Sequence, residues 1–117
     1  MLYLRESFKE DKDFEGKNNP PLSEEGVQVG KRIKLKISGI KFDKCYSSFL
    51  LKDFSSAIIL VGDRLVVERT HSFDKIDKEE IMAFVTDLDL DKNILIVASK
   101  EIILIIKEKF EANVYEI

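Results

Sequence analysis

The segment Asn93–Lys100, NILIVASK, decides the fold of this 117-residue chain. Its apolar run from Ile94 to Ala98 predicts a strand with no polar face, which is typical of a central parallel strand covered on both sides. The run ends abruptly at Ser99 and Lys100, so polar side chains begin where the strand ends. In sheets of this kind, binding sites lie beyond the carboxyl ends of the strands. The segment therefore predicts a layered α/β protein and indicates where to look for a site.

Strand-like and helix-like segments alternate outward from this strand. Further strands are predicted at 2–4, 41–47, 65–68 and 114–117. Helices are predicted to begin after Ser23 and at 50–61, 77–88 and 102–110, with a polar loop over 8–21. Composition alone also permits a strand over 102–106. The alternation predicts a three-layer α/β/α fold with a mostly parallel sheet and right-handed crossovers. In the first helix, Gly26 and Gly30 suggest close packing against that sheet.

The composition is that of a globular protein and argues against several kinds of site. The length predicts one domain over residues 1–117, and a net charge of -3 disfavours nucleic acid as a partner. No apolar stretch is long enough to span a bilayer, so we expect a cytoplasmic protein with no membrane partner. A single cysteine, Cys45, and a single histidine, His71, lead us to expect no disulfide, metal or cofactor. The 35% of charged residues fits a thermophile.

Four segments resemble motifs of the histidine phosphatase superfamily, the phosphoglycerate mutase-like proteins, and particularly its small SixA-type phosphohistidine phosphatases. YLRES (3–7) stands at the family's Arg-His-Gly strand end, and PPLSEEG (20–26) resembles its Pro-Leu-Thr-Glu-x-Gly helix entry. FDKCYSSFLLKDFSSA (42–57) resembles Asp-x-x-Tyr-Ser-Ser-Pro-Leu-x-Arg-Ala-x-Gln-Thr-Ala, and NILIVASK resembles the strand ending in Val-Ser-His. The resemblance covers most of the chain in the right order, and it implies a phosphoglycerate mutase-like fold.

The catalytic positions that this resemblance implies have changed. The family uses a nucleophilic histidine, a second histidine and two arginines that hold the phosphate oxygens. Arg5 keeps the first arginine and Lys52 replaces the second. Glu6 and Ser99 replace the two histidines, and Phe49 stands where proline is usual. A carboxylate repels a phosphate dianion, and lysine lacks the planar fork of arginine, so the family mechanism is not expected to operate.

The sequence therefore predicts a pseudo-phosphatase, in which no residue is catalytic and Arg5, Lys52 and Ser99 form a ligand-binding set. We expect it to act as a binding or structural module for a phosphorylated small molecule or a protein, and a homodimer is a further expectation. One alternative is a weak phosphomonoesterase or phosphohistidine phosphatase with altered chemistry. Another is a general interaction domain with a vestigial pocket.

Each of these residues also has a purely structural interpretation. Arg5 and Glu6 lie on opposite faces of a strand end, where they are solvated or paired locally. Lys52 lies on an exposed helix face, Ser99 caps the following helix, and His71 lies in a surface loop. Two rival sites fit less well. A Cys-x₅-Arg phosphatase would need an arginine where this chain has Leu51, and a receiver domain would need an acidic pair after the first strand.

Overall fold

The structure, a computed structural model, describes residues 1–13, 19–110 and 114–117. In these ranges strands and helices alternate along the chain. The strands are β1 (Leu2–Glu6), β2 (Lys44–Ser47), β3 (Val67–Arg69), β4 (Ile94–Ala98) and β5 (Val114–Glu116). The helices are α1 (Glu24–Lys36), α2 (Leu51–Val61), α3 (Lys78–Thr86) and α4 (Lys100–Lys109).

The strands form one parallel sheet in the order β3-β2-β4-β1-β5. β4 is the central strand, and each of its residues is at most 1% exposed. Leu95 lies opposite Tyr3 on one side and Cys45 on the other. The prediction from NILIVASK is therefore confirmed, because this strand is covered on both faces and paired along both edges.

Two apolar cores flank the sheet and explain why β4 has no polar face. On one side Leu4 and Ile96 pack with α3 and α4, and on the other Leu95 and Cys45 pack with residues of α1 and α2. Burial raises the pKa of the Cys45 thiol to about 12, which makes it an inert residue of the core. The predicted three-layer α/β class is confirmed. Within the described ranges, no helix is long and apolar enough to cross a membrane.

Some element boundaries differ from the predicted ones because of contacts between distant segments. β1 extends to Glu6, since its last residues pair with β4, where Glu6 lies opposite Ala98. β2 begins three residues later than predicted, because Asp43 bonds to Asn93 through its backbone N–H and its carboxylate. β3 lies over 67–69 rather than 65–68. Residues 100–109 form α4, so the strand alternative over 102–106 is wrong.

The glycines of α1 pack closely, but against other partners than the predicted sheet. A Cβ on Gly26 would lie 2.3 Å from the carbonyl oxygen of Lys9, and one on Gly30 would lie 2.9 Å from the Phe8 ring and 3.0 Å from Ile59. The absent side chains let α1 approach both α2 and the segment that follows β1. This contact fixes the path of the chain as it leaves the carboxyl end of β1.

Candidate functional site

The carboxyl edge of the sheet brings three strand ends together. β4 lies between β1 and β2, and the Ser7 amide donates to the Ala98 carbonyl at 3.2 Å. The segments that begin at Ser7, Ser48 and Ser99 therefore leave neighbouring strands at one edge. The predicted site residues lie on or next to these segments.

Arg5 is partly buried, and its guanidinium group contacts other residues of the protein. Its guanidinium carbon lies 4.9 Å from the centre of the Phe8 ring, and Nη1 donates to the Ile117 carbonyl at 2.9 Å. Its Nε is buried and has no hydrogen-bond partner among the described residues. The adjacent Glu6 is exposed. The structure thus gives Arg5 a local role, between an aromatic ring and the segment after β5.

Lys52 and Ser99 occupy the expected helix starts. Lys52 lies in the first turn of α2, and its Nζ is 3.9 Å from a carboxylate oxygen of Glu10. Both side chains are partly exposed, so this ion pair contributes little to stability. Ser99 occupies the N-cap position of α4, but its hydroxyl makes no capping hydrogen bond there. A ligand-binding role for Arg5, Lys52 and Ser99 stays a prediction.

A buried carboxylate, Asp53, follows Lys52 in α2 and was not predicted. Its side chain is fully buried in the first turn of α2, where the Ser48 hydroxyl donates to Oδ2 at 2.5 Å. Oδ1 has no hydrogen-bond partner in the part of the chain that the structure describes. Burial raises the pKa of Asp53, and the Ser48 hydrogen bond and the charge of Lys52 oppose this rise. The family motif that resembles residues 42–57 has alanine at this position. The aspartate departs from that motif, and this departure is the feature of the sequence that could have pointed to Asp53.

Ser56 ties α2 to the segment that follows β1. Its hydroxyl donates to the Lys52 carbonyl at 2.7 Å and accepts from the Phe8 amide at 3.0 Å. Phe8 is itself the ring beneath the Arg5 guanidinium. Phe8 and Ser56 therefore link Arg5 to the first turn of α2 through contacts within the protein.

A second cluster surrounds Phe49, at the position where the motif has proline. The His71 ring stacks on Phe49 with centroids 3.9 Å apart, and His71 Nδ1 lies 2.7 Å from Oδ2 of Asp74. Asp74 also accepts a hydrogen bond from the Phe49 amide at 2.8 Å. The Arg69 guanidinium carbon lies 5.0 Å from the Phe49 ring centre and 4.6 Å from that of Phe54. His71 is a surface residue as predicted, with its side chain 76% exposed, but it is held in one orientation.

In the ranges described, no three His, Cys, Asp or Glu side chains lie close enough together to ligate a metal ion. The groups available for chemistry at this edge are therefore single side chains and pairs of side chains in contact, such as His71 with Asp74. They comprise one stacked histidine, three cations engaged by the protein (Arg5, Lys52 and Arg69), and carboxylates at positions 6, 10, 53 and 74.

Comparison with solved structures identifies the fold. No family model and no curated protein matches the sequence. The structure of phosphoglycerate mutase from Bacillus anthracis str. Sterne superposes with a TM-score of 0.79 at 14% identity, covering 95% of this chain and 79% of that one. The protein histidine phosphatase SixA, solved with tungstate, gives 0.78 at 14% identity, covering 92% and 74%. The alpha-ribazole phosphatase from Shigella flexneri gives 0.76 at 16% identity, covering 92% and 78%.

These structures define the class: the chain is a parallel α/β protein with the phosphoglycerate mutase-like fold. All three are structures of histidine phosphatase superfamily proteins, so the resemblance drawn from the four motifs is confirmed at the level of the fold. At these identities the likeness extends to architecture alone. What this chain does must be argued from its own side chains.

Proposed function

We propose that this protein is a catalytically degenerate member of the fold, a pseudo-phosphatase that acts as a binding or structural module. The observation that carries the proposal is the state of its two inherited cations. Arg5 donates to the Ile117 carbonyl and lies over Phe8, and Lys52 faces Glu10. Side chains engaged in this way are poorly placed to clamp a transferring phosphoryl group, which needs preorganised donors.

The charges at this edge support the same conclusion. Phosphoryl transfer to a side chain needs a nucleophile that can approach a dianion, and position 6 carries a carboxylate instead of an imidazole. Asp53 adds a second carboxyl group next to Lys52. When catalytic residues act as a unit, the loss of the nucleophile alone reduces turnover by a factor on the order of 10⁶. Neither histidine position is occupied by a histidine here.

The alternative function, a weak phosphomonoesterase with altered chemistry, is favoured by one observation. Asp74 orients His71 through Nδ1 and leaves Nε2 directed away from the carboxylate. An imidazole oriented in this way is suited to act as a general base. The same ring is largely exposed and stacked on Phe49, which gives a developing charge little shielding from water. We therefore rank this function second.

Hydrolysis of para-nitrophenyl phosphate separates the two functions. We expect no turnover above background for the parent protein. Turnover that survives repurification and is lost in His71→Asn would establish the altered enzyme, and turnover lost in Arg5→Ala would restore a role for the inherited site. Turnover that both variants retain would come from a contaminating phosphatase.

A thermal-shift screen of phosphorylated metabolites and phosphohistidine peptides then tests the binding role. A shift without turnover supports a binding module. If no compound shifts the melting temperature, a general interaction domain with a vestigial pocket is the better description. Arg5→Ala and Lys52→Ala are the variants that should abolish a specific shift.

A further inference from the structure

A pocket of about 170 Å³ opens at the amino edge of the sheet, where the chain enters β2 and β3. It is lined by Lys41, Phe42, Val61, Arg64 and Leu65. These residues precede the two strands or end α2, so the pocket lies at the edge opposite to the candidate site. A cavity of about 150 Å³ is enough to hold one benzene ring. The pocket therefore has room for a ligand with a single ring.

Three of the lining side chains are apolar, and their positions are fixed by the fold. Val61 is 1% exposed, and Phe42 packs against the same core cluster. Tyr3 contacts the Phe42 ring edge to face, with centroids 5.2 Å apart. The Asn93 side-chain amide donates to the Lys41 carbonyl at 3.1 Å, which holds the segment before β2. Because the apolar surface is formed in advance, little side-chain ordering opposes binding.

Both charged residues that line the pocket are positive. Lys41 and Arg64 are exposed, and Nη1 of Arg64 lies 3.5 Å from the Ser38 carbonyl oxygen. Among the described residues Arg64 forms no ion pair. A third cation, Lys34, reaches the end of α2, where its Nζ would lie 2.8 Å from a Cβ on Gly62. The carbonyls at a helix C-terminus carry a partial negative charge, and Lys34 offsets it.

The acidic residues of the neighbouring segments do not cancel this positive charge inside the pocket. The Asp43 carboxylate accepts from a backbone amide at 2.8 Å, and Glu68 pairs with Lys44 at 3.3 Å. Both acidic residues line an adjacent groove rather than this pocket. Asp63 is exposed and is not one of the described residues that line it. The pocket thus combines an apolar floor with two cations.

We propose that this pocket binds a small aromatic carboxylate, with its ring against the apolar side chains and its carboxylate between Lys41 and Arg64. The planar guanidinium of Arg64 can donate two parallel N–H bonds to a carboxylate. A neutral ring would leave the cations unmatched, and an inorganic anion would leave the apolar floor exposed to water. An aromatic carboxylate satisfies both parts of the pocket. The inference is independent of the function proposed for the carboxyl edge.

Titration of the ¹⁵N-labelled protein with benzoate, followed by NMR, tests the site. We expect amide shifts confined to residues 41–42 and 61–65, with a dissociation constant on the order of 1 mM for so small a ligand. Benzamide, which has the same ring and no charge, should bind at least about fivefold more weakly. Acetate, which lacks the ring, should not saturate the shifts. No shift at these amides up to about 20 mM benzoate, or equal affinities for benzoate and benzamide, would overturn the proposal.

A matched pair of arginine variants tests the position of the carboxylate. Arg64→Gln should weaken benzoate binding by roughly fivefold, because it removes the charged fork at an exposed site and keeps the polar shape. Arg32→Gln removes the same charge from an exposed position on α1 that does not line the pocket, and it should leave the affinity unchanged. If both variants kept the parent affinity, or both lost it equally, Arg64 would not hold the carboxylate and the proposed site would be wrong.

Discussion

Glu6 is the residue whose negative charge most directly opposes phosphate binding at the carboxyl edge. It follows Arg5 at the position that the motif gives to the nucleophile, so a phosphate bound there would face a carboxylate. Two unit charges about 4 Å apart repel by roughly 4 kcal/mol at an effective dielectric constant near 20, and salt reduces this further. We therefore expect Glu6→Gln to bind inorganic phosphate about tenfold more tightly, a gain of about 1–2 kcal/mol.

Calorimetric titration at low salt and equal pH measures this difference. Glu79→Gln, which removes an exposed carboxylate on α3, is the control for net charge and should leave the affinity unchanged. Equal affinities for the parent and Glu6→Gln would mean that Glu6 does not face the position of the phosphate. The functional assignment of position 6 would then be wrong.

Asp53 predicts a dependence of stability on pH. Burial raises its pKa in the folded state, so the folded protein binds a proton more tightly than the unfolded chain does. For a carboxyl group with a raised folded-state pKa, stability is gained as the pH falls through that pKa and lost as the pH rises. Asp53→Asn removes this cost, and its amide oxygen can still accept the hydrogen bond from the Ser48 hydroxyl. The variant should be more stable than the parent, and its advantage should grow as the pH rises from the ordinary pKa of an aspartate through the raised folded-state pKa, and then level off.

Thermal unfolding from about pH 3, below the ordinary pKa of an aspartate, up to pH 8 measures that advantage. We expect a gain on the order of 1 kcal/mol at the upper end of this pH range, equivalent to about 4 °C in Tm for a chain of this length. Asp63→Asn, at an exposed position, should change Tm little at any pH. A constant difference across the range would mean that ionisation of Asp53 contributes nothing.

At the scale of elements, the position of α1 depends on the lack of a side chain at Gly26. Ser23 caps the helix through the Gly26 amide, and its own amide donates to the Lys9 carbonyl. A Cβ at Gly26 would lie 2.3 Å from that same carbonyl oxygen, so either the helix or the loop must move. Gly26→Ala should lower stability by about 1–3 kcal/mol, although alanine favours a helix by about 1 kcal/mol.

Gly39→Ala provides the matched control for urea unfolding, because nothing lies within 4 Å of the position that a Cβ would take there. It should leave the free energy of unfolding nearly unchanged. If the Gly26→Ala protein were as stable as the parent, the loop after β1 would be able to move away from the added methyl group at little cost in free energy. The position of α1 would then not fix the path of the chain there.

The elements that the sequence predicted well are those with a local signal. The apolar run Ile94–Ala98 predicts a doubly covered strand wherever it folds, and Ser23 marks a helix start through its own chemistry. The end of β1 at Glu6 was missed because it depends on pairing with β4. Contacts of the site depend on the tertiary fold in the same way. The stacking of His71 on Phe49 joins two loops, and no periodic pattern in the sequence predicts such a contact.

At the scale of the whole molecule, the fold and the family chemistry are separable. The cores on both faces of the sheet are built from apolar residues of the strands and helices, and none of the four family catalytic positions belongs to either core. Substitutions at those positions can therefore remove the chemistry while the architecture stays intact. The reverse experiment introduces the family residues at these positions. It tests whether they are sufficient for phosphatase activity.

The variant Glu6→His, Lys52→Arg, Ser99→His restores the family residues, yet we expect it to hydrolyse para-nitrophenyl phosphate poorly. Arg5 would still donate to the Ile117 carbonyl, and the Asp53 carboxyl group would remain next to position 52. Adding Asp53→Ala, the motif residue, removes that competing carboxyl group and should raise kcat/KM by about tenfold or more. Asp63→Asn in the same background is the control for net charge. If the first three changes alone gave the same kcat/KM as the variant that also carries Asp53→Ala, Asp53 would not interfere with phosphate binding. Arg5 would then be available to bind phosphate in spite of its contact with the Ile117 carbonyl.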